Sequence, residues 1–229
     1  MAVIVAVPAR LASSRLPRKL LADVGGRPLL RRVLEQCLQA RRPAARSSSL
    51  SVQRATAAAL PALEDLAPGC GWIVNVQGDQ PFLDPGLIDT LAAAALAAGP
   101  ADPPVLTPVY PLPPGRLHDP AVVKVVRSHS GRALLFSRSA LPHVRDLPPD
   151  DWHRAGPHWG HVGLYAYRLE VLRRWLTLPP SPLEQAEKLE QLRLLEADVA
   201  IGCVETAADA FSIDTAAQLE EARRRAADQ

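Results

Sequence analysis

The sequence predicts an α/β fold built on a mainly parallel sheet, and three observations predict it. Two short apolar runs, Ala2–Val7 (AVIVAV) and Trp72–Val76 (WIVNV), have the continuous Val/Ile-rich character of strands buried on both faces. Stretches with helical spacing or rich in Ala follow them, so that strands and helices alternate through most of the chain. The length, 229 residues, suits one large core, and residues 1–229 read as a single domain.

After the first strand and a loop from Pro8 to Lys19, the Gly25-Gly26 turn leads to a helix from Pro28 to about Ala40, with Leu29, Leu30, Val33, Leu34 and Cys37 on one face. The second buried strand runs into Gln77–Pro81, and Pro85 opens an Ala-rich helix to about Ala98. Val105–Tyr110, Ala121–Val126 and Leu134–Phe136 read as strands, Pro142 to Gly160 as an ordered loop, and His161–Tyr167 (HVGLYAY) as one strand. Glu170–Leu176 and Pro182–Leu195 read as helices, the second capped by Ser181. Val199–Val204 is a strand and Thr215–Ala226 a closing amphipathic helix. Residues 41–71 break the pattern: a basic, Ser-rich piece gives way to an Ala/Leu-rich one from Arg54 to Leu66, with no convincing strand.

Composition narrows the function. With 26 Lys+Arg against 24 Asp+Glu, the net charge of +2 offers no electrostatic case for a dedicated nucleic-acid binder. Cys37, Cys70 and Cys203 are odd in number and far apart, with no zinc spacing, and read as small buried hydrophobes in a reducing compartment. The apolar N-terminus is too short for a signal peptide, and Leu91–Ala98 is too short to span a bilayer. The expectation is a soluble cytoplasmic protein with no membrane partner.

Three places carry chemistry. The loop Pro8–Lys19 packs four cations and two hydroxyls just past a buried strand, the end at which open α/β sheets bind ligands. Such a loop suits a polyphosphate, although neither GxxxxGK[ST] nor GxGxxG is present; alternatively it is a solvated turn. Asp79, presented through Gly78 after the second strand, is placed to meet Mg²⁺ or to cap a turn. Asp214 precedes the last helix and is either its N-cap or a second carboxylate for the same cation. Among the histidines, only His161 opens a strand. Glu184, Glu187 and Glu190 recur at helical spacing, a pattern usual for a solvated face.

At these residues the sequence resembles the 3-deoxy-manno-octulosonate (Kdo) cytidylyltransferases. The resemblance lies in VPARLASSRLPRKLLADVGGRPLL, WIVNVQGDQPFLDP, DPAVVKVVRSHSGRALLFSRSALP, HVGLYAYR, PSPLEQAEKLEQLRLLE and SIDTAAQLEEAR, in that order. It implies a Rossmann-like nucleotidyltransferase fold with helices on both faces of the sheet. It implies the reaction CTP + Kdo → CMP-Kdo + pyrophosphate, dependent on Mg²⁺, in a cytoplasmic homodimer supplying Kdo for lipopolysaccharide. By the resemblance, Arg10, Ser13, Arg15 and Lys19 bind the CTP phosphates and Asp79 and Asp214 hold Mg²⁺. Arg10, Lys19 and Asp79 are the catalytic set, and Gln77, His161, Tyr165, Glu190 and Gln191 lie on the sugar side.

Two departures from the family pattern stand out. Arg18 occupies a position where the family commonly has Gly. Residues 41–71 are short and lack the family's second strand ending in Thr-Asp and its Ser-Gly-Thr segment, so the sheet is expected to miss one or two strands and the nucleotide-base pocket a wall. Two alternatives to an active Kdo enzyme therefore stay open: a catalytically impaired remnant that binds ligand or dimerises, and a cytidylyltransferase for another acidic sugar.

Overall fold

The computed structural model describes residues 2–9, 16–43, 45–49, 65, 68–207 and 211–227. In chain order the strands are β1 (Ala2–Pro8), β2 (Ala45–Ser49), β3 (Cys70–Val76), β4 (Val105–Pro111), β5 (Lys124–Arg127), β6 (Ala133–Ser137), β7 (Trp159–His161), β8 (Leu164–Arg168) and β9 (Ile201–Glu205). The helices are α1 (Leu29–Gln39), α2 (Pro85–Ala97), α3 (Leu169–Thr177), α4 (Pro182–Glu187), α5 (Leu192–Glu196) and α6 (Ala216–Ala227). The chain divides into two compact units. The first comprises Met1–Ala97, Leu164–Leu176 and Ala210–Gln229; the second comprises Ala98–Gly163 and Thr177–Asp209.

In the first unit β1 lies between β2 and β3, parallel to both, and β8 pairs antiparallel with β3. The apolar runs explain the centre of this arrangement. Val3 to Val7 of β1 and Trp72, Ile73, Val74 and Val76 of β3 are all buried, as a strand covered on both faces requires. Leu87, Ile88, Leu91, Ala92 and Ala95 give α2 its buried residues. The Gly25-Gly26 turn needs its glycines: both have positive φ, 61° and 76°.

The strand β2 corrects the reading of residues 41–71. Ala-Arg-Ser-Ser-Ser has no β-branched or aromatic residue, yet its backbone pairs in register with β1 from Ile4↔Ala45 to Pro8↔Ser49. The exposed ladder of a well-formed neighbour decides the conformation where side-chain propensity is silent. One strand expected to be missing is therefore present. Of the Arg54–Leu66 stretch read as helical, all but Asp65 lies outside the described residues.

In the second unit β4 pairs parallel with β9 and antiparallel with β7, while β5 pairs antiparallel with both β6 and β7. The pairing within each unit is thus mixed, with antiparallel contacts that the mainly parallel expectation did not include. Strand β5 begins at Lys124, later than Ala121, because Asp119 folds a turn there: its carboxylate accepts from the Ala121 N–H (2.8 Å) and its carbonyl from the Val122 N–H (3.1 Å). Lys124 itself is wholly buried. Its ammonium donates to the carbonyls of Asp119 (2.8 Å), Val122 (2.6 Å) and Arg138 (2.6 Å), and burial lowers its pKa. A 3-10 helix, Pro149–Arg154, lies within the stretch read as loop.

The run HVGLYAY is two strands rather than one. The ladder breaks at Val162-Gly163, where the Val162 carbonyl accepts from the Thr107 hydroxyl (3.3 Å). The helix read from Pro182 to Leu195 is likewise two pieces, separated at Lys188, whose φ of 55° is left-handed. Among the described residues no helix is long and apolar enough to cross a membrane.

Candidate active site

The site in the first unit is assembled from three chain segments. After β1, a 3-10 turn over Lys19–Leu21 is closed by the Lys19 N–H on the Leu16 carbonyl (3.1 Å) and the Ala22 N–H on that of Lys19 (3.0 Å). Arg18 enters this turn at φ 55°, ψ 27°, a left-handed conformation that a glycine adopts without steric cost. The turn sends Lys19 inward, leaving its side chain 10% exposed.

The second segment follows β3. Gly78 packs against the first segment so closely that a Cβ there would stand 3.0 Å from the Pro8 carbonyl and 3.4 Å from Leu20 Cδ2. This contact brings Asp79 beside Lys19. The third segment precedes α6. The Ile213 N–H donates to the Asp79 carbonyl (3.0 Å), and Ile213 is buried with Ala9, Leu20, Val24, Leu29, Leu219 and Ala222 beneath the site.

Asp214 does not cap α6. Thr215 does: its hydroxyl accepts from the Gln218 N–H (3.2 Å), while Gln218 Oε1 accepts from the backbone N–H of Thr215 (3.0 Å) and of Asp214 (2.7 Å). This is a capping box written T-x-x-Q in the sequence, and it leaves the Asp214 carboxylate for another task. Sequence reasoning missed it, although the spacing was there to be read.

That task is shared with Asp79. The Lys19 ammonium donates to Asp79 Oδ2 at 2.7 Å and to Asp214 Oδ1 at 3.2 Å. The two carboxylate side chains are 23% and 37% exposed, so both remain open to solvent while one cation bridges them. Two hard-oxygen donors of this kind suit Mg²⁺, which takes one or two carboxylates and completes its shell with phosphates and water. Among the described residues, no group of three or more His, Cys, Asp or Glu is placed to hold a metal ion. Arg10, Ser13 and Arg15 lie outside the described residues.

The remaining candidates divide between the units. In the first, Gln77 is half-buried two residues before Asp79. Tyr165 is buried on β8 in register with Asn75, its ring stacked on Tyr167 at 5.4 Å. In the second, His161 Nε2 is 3.0 Å from the Thr107 hydroxyl, and its ring meets Phe136 edge-on at 5.0 Å. Burial pushes the His161 imidazole down to about 3, so it is neutral at neutral pH. Glu190 is half-buried and Gln191 buried.

The glutamate stripe is not a solvated face. Glu184 is buried against Arg193, and Glu187 accepts from the Ser137 hydroxyl (2.5 Å) and the Arg138 N–H (3.0 Å). Burial pushes the Glu184 carboxyl up, but hydrogen bonds from Arg193 and the Ser181 N–H outweigh it, and the group titrates below the ordinary glutamate range.

The family model described as Cytidylyltransferase matches residues 4–43 and 43–201. The 3-deoxy-manno-octulosonate cytidylyltransferase of Chlorobaculum tepidum is 40% identical over 98% of this chain and 97% of its own length. The chain belongs to this family. The Chlorobaculum parvum cytidylyltransferase of the same name is 39% identical over the same shares. A solved structure of CMP:2-keto-3-deoxy-manno-octonic acid synthetase complexed with CTP superposes with a TM-score of 0.85 at 32% identity, covering 100% of this chain and 99% of that one. The two matched segments of the family model meet at residue 43, inside the interval 41–71 whose sequence departs from the family pattern.

Proposed function

We propose that the chain transfers a cytidylyl group from CTP to the anomeric hydroxyl of Kdo, releasing pyrophosphate and supplying CMP-Kdo for lipopolysaccharide. The observation that carries the reading is Lys19 bridging Asp79 and Asp214 in a chain of this family. The sugar hydroxyl attacks the α-phosphorus in line. A new phosphorus–oxygen bond forms, the bond to the α–β bridging oxygen breaks, and the hydroxyl proton passes to solvent.

The protein's part is positioning and charge neutralisation. Asp79 and Asp214 would hold Mg²⁺, which when bound offsets charge on the phosphates and leaving group. Lys19, nearly buried between the carboxylates, has an ammonium within reach of a phosphate oxygen that takes the place of either one. Arg10, Ser13 and Arg15 are proposed to complete phosphate binding. Gln77, Tyr165, His161, Glu190 and Gln191 are proposed on the sugar side, and the neutral His161 imidazole exchanges hydrogen bonds there without adding charge. A homodimer in the cytoplasm is part of the proposal.

A second reading, a member impaired in turnover, draws support from the atypical sequence of residues 41–71, within which the two matched segments of the family model meet. Pyrophosphate release decides between them. Release that needs CTP, Mg²⁺ and Kdo together supports the enzyme, and folded protein that binds CTP without turnover supports the second reading. Replacing Kdo by another acidic sugar in the same assay tests the substrate class.

A further inference from the structure

Helices α4 and α5 are six and five residues long, too short to persist by themselves. Residues 188–191 between them include Glu190 and Gln191. An ion pair fixes this break. Arg193 Nε donates to Glu184 Oε2 at 2.7 Å and its NH2 to Oε1 at 2.5 Å, a bidentate fork with side chains only 9% and 11% exposed. In a continuous helix two residues nine apart would be separated by ~13.5 Å along the axis. The pair therefore exists only because the helix breaks, and the break persists because the pair closes over it.

The pair also reaches beyond itself. Glu184 Oε2 accepts from the Ser181 N–H (3.1 Å), and Arg193 NH1 donates to the Leu178 carbonyl (3.3 Å). At the end of α4, Glu187 ties the chain to Ser137 and Arg138. Inside the break, Gln191 is 4% exposed and its side-chain amide nitrogen has no hydrogen-bond partner. A buried donor without an acceptor is unfavourable in the free protein, and a ligand's oxygen would satisfy it.

We infer that Glu184 and Arg193 are positioning residues for the acidic sugar: their fork sets the backbone of residues 188–191 and thereby aims the Gln191 amide at a sugar oxygen. The inference rests on the sugar-acid reading above. Arg193→Lys keeps the charge and loses the fork. The double variant Glu184→Gln with Arg193→Met removes both buried charges at similar volume.

Both are expected to raise KM for Kdo by ~10-fold while kcat and KM for CTP stay within about two-fold of the parent. KM for Kdo unchanged in either folded variant would overturn the inference, as would failure of both to fold, since the pair would then serve the unit as a whole. Failure of the sugar-acid reading shows separately, in a parent protein that releases no pyrophosphate with Kdo.

Discussion

In the first unit, Lys19 divides one ammonium between Asp79 and Asp214, whose carboxylates stay 23% and 37% exposed. In the second, Arg193 grips one carboxylate, that of Glu184, in two parallel hydrogen bonds, with both side chains about one-tenth exposed. The ingredients are alike: a buried cation and carboxylate brought together from separated stretches of chain. The difference is in what remains unsatisfied. The carboxylates at Lys19 keep lone pairs and solvent access, so a divalent cation and phosphates can exchange into the cluster. Glu184 and Arg193 instead bind each other and the neighbouring backbone, Glu184 accepting from the Ser181 N–H and Arg193 donating to the Leu178 carbonyl. An open cluster suits chemistry and a closed one suits geometry.

The comparison breaks most visibly at Asp79. Asp79→Ala is expected to lower pyrophosphate release by ~1000-fold, about 4 kcal/mol in the transition state. Its unfolding free energy should fall by only about 1 kcal/mol, because Lys19 keeps Asp214. Steady-state kinetics and urea unfolding of one preparation check both.

Glu184→Ala should behave in the opposite sense, costing ~3 kcal/mol of stability by leaving the buried Arg193 charge without its carboxylate. The same pair predicts an acid limit. The folded Glu184 pKa is depressed, so its contribution is complete above the ordinary value of about 4.3 and is lost as pH falls through the lower folded value. Glu184→Gln should flatten the pH dependence of urea unfolding in that window.

His161 extends the contrast to a half-buried group that avoids charge. With its folded pKa near 3 it stays neutral, so the unfolded chain binds a proton that the folded one does not as pH drops below about 6.5. Stability present above that value should decline by about 2 kcal/mol between pH 7 and pH 5 from this group. His161→Asn should reduce that decline, and the His161 imidazole signals in NMR should not titrate between pH 8 and pH 5.

The smallest effect expected is at Arg18. Arg18→Gly relieves a left-handed residue at the entrance to the Lys19 turn and should stabilise by about 0.5 kcal/mol, after the greater freedom of glycine in the unfolded chain is offset. Calorimetry would register a rise of ~1–2 °C.

Strands β1 and β3, with the Lys19, Asp79 and Asp214 they and α6 deliver, were legible in the sequence because buried parallel strands leave continuous apolar runs and their ends carry the ligand chemistry. Three features were not. Strand β2 has a sequence with no strand preference and owes its conformation to the neighbouring ladder. The break at Lys188 depends on an ion pair between residues nine apart, which helical periodicity conceals by continuing across it. The role of Asp214 was ambiguous because Asp is as good a cap as Thr, and only the reciprocal bonds of Thr215 and Gln218 settle which residue caps α6.

The most direct test compares two neutralised carboxylates under saturating CTP, Mg²⁺ and Kdo: Asp79→Asn and Glu184→Gln, each measured for turnover and unfolding free energy. Asp79→Asn is expected to lose at least ~100-fold in kcat with near-parental stability, while Glu184→Gln keeps kcat and loses stability. Near-parental turnover by Asp79→Asn would contradict that expectation.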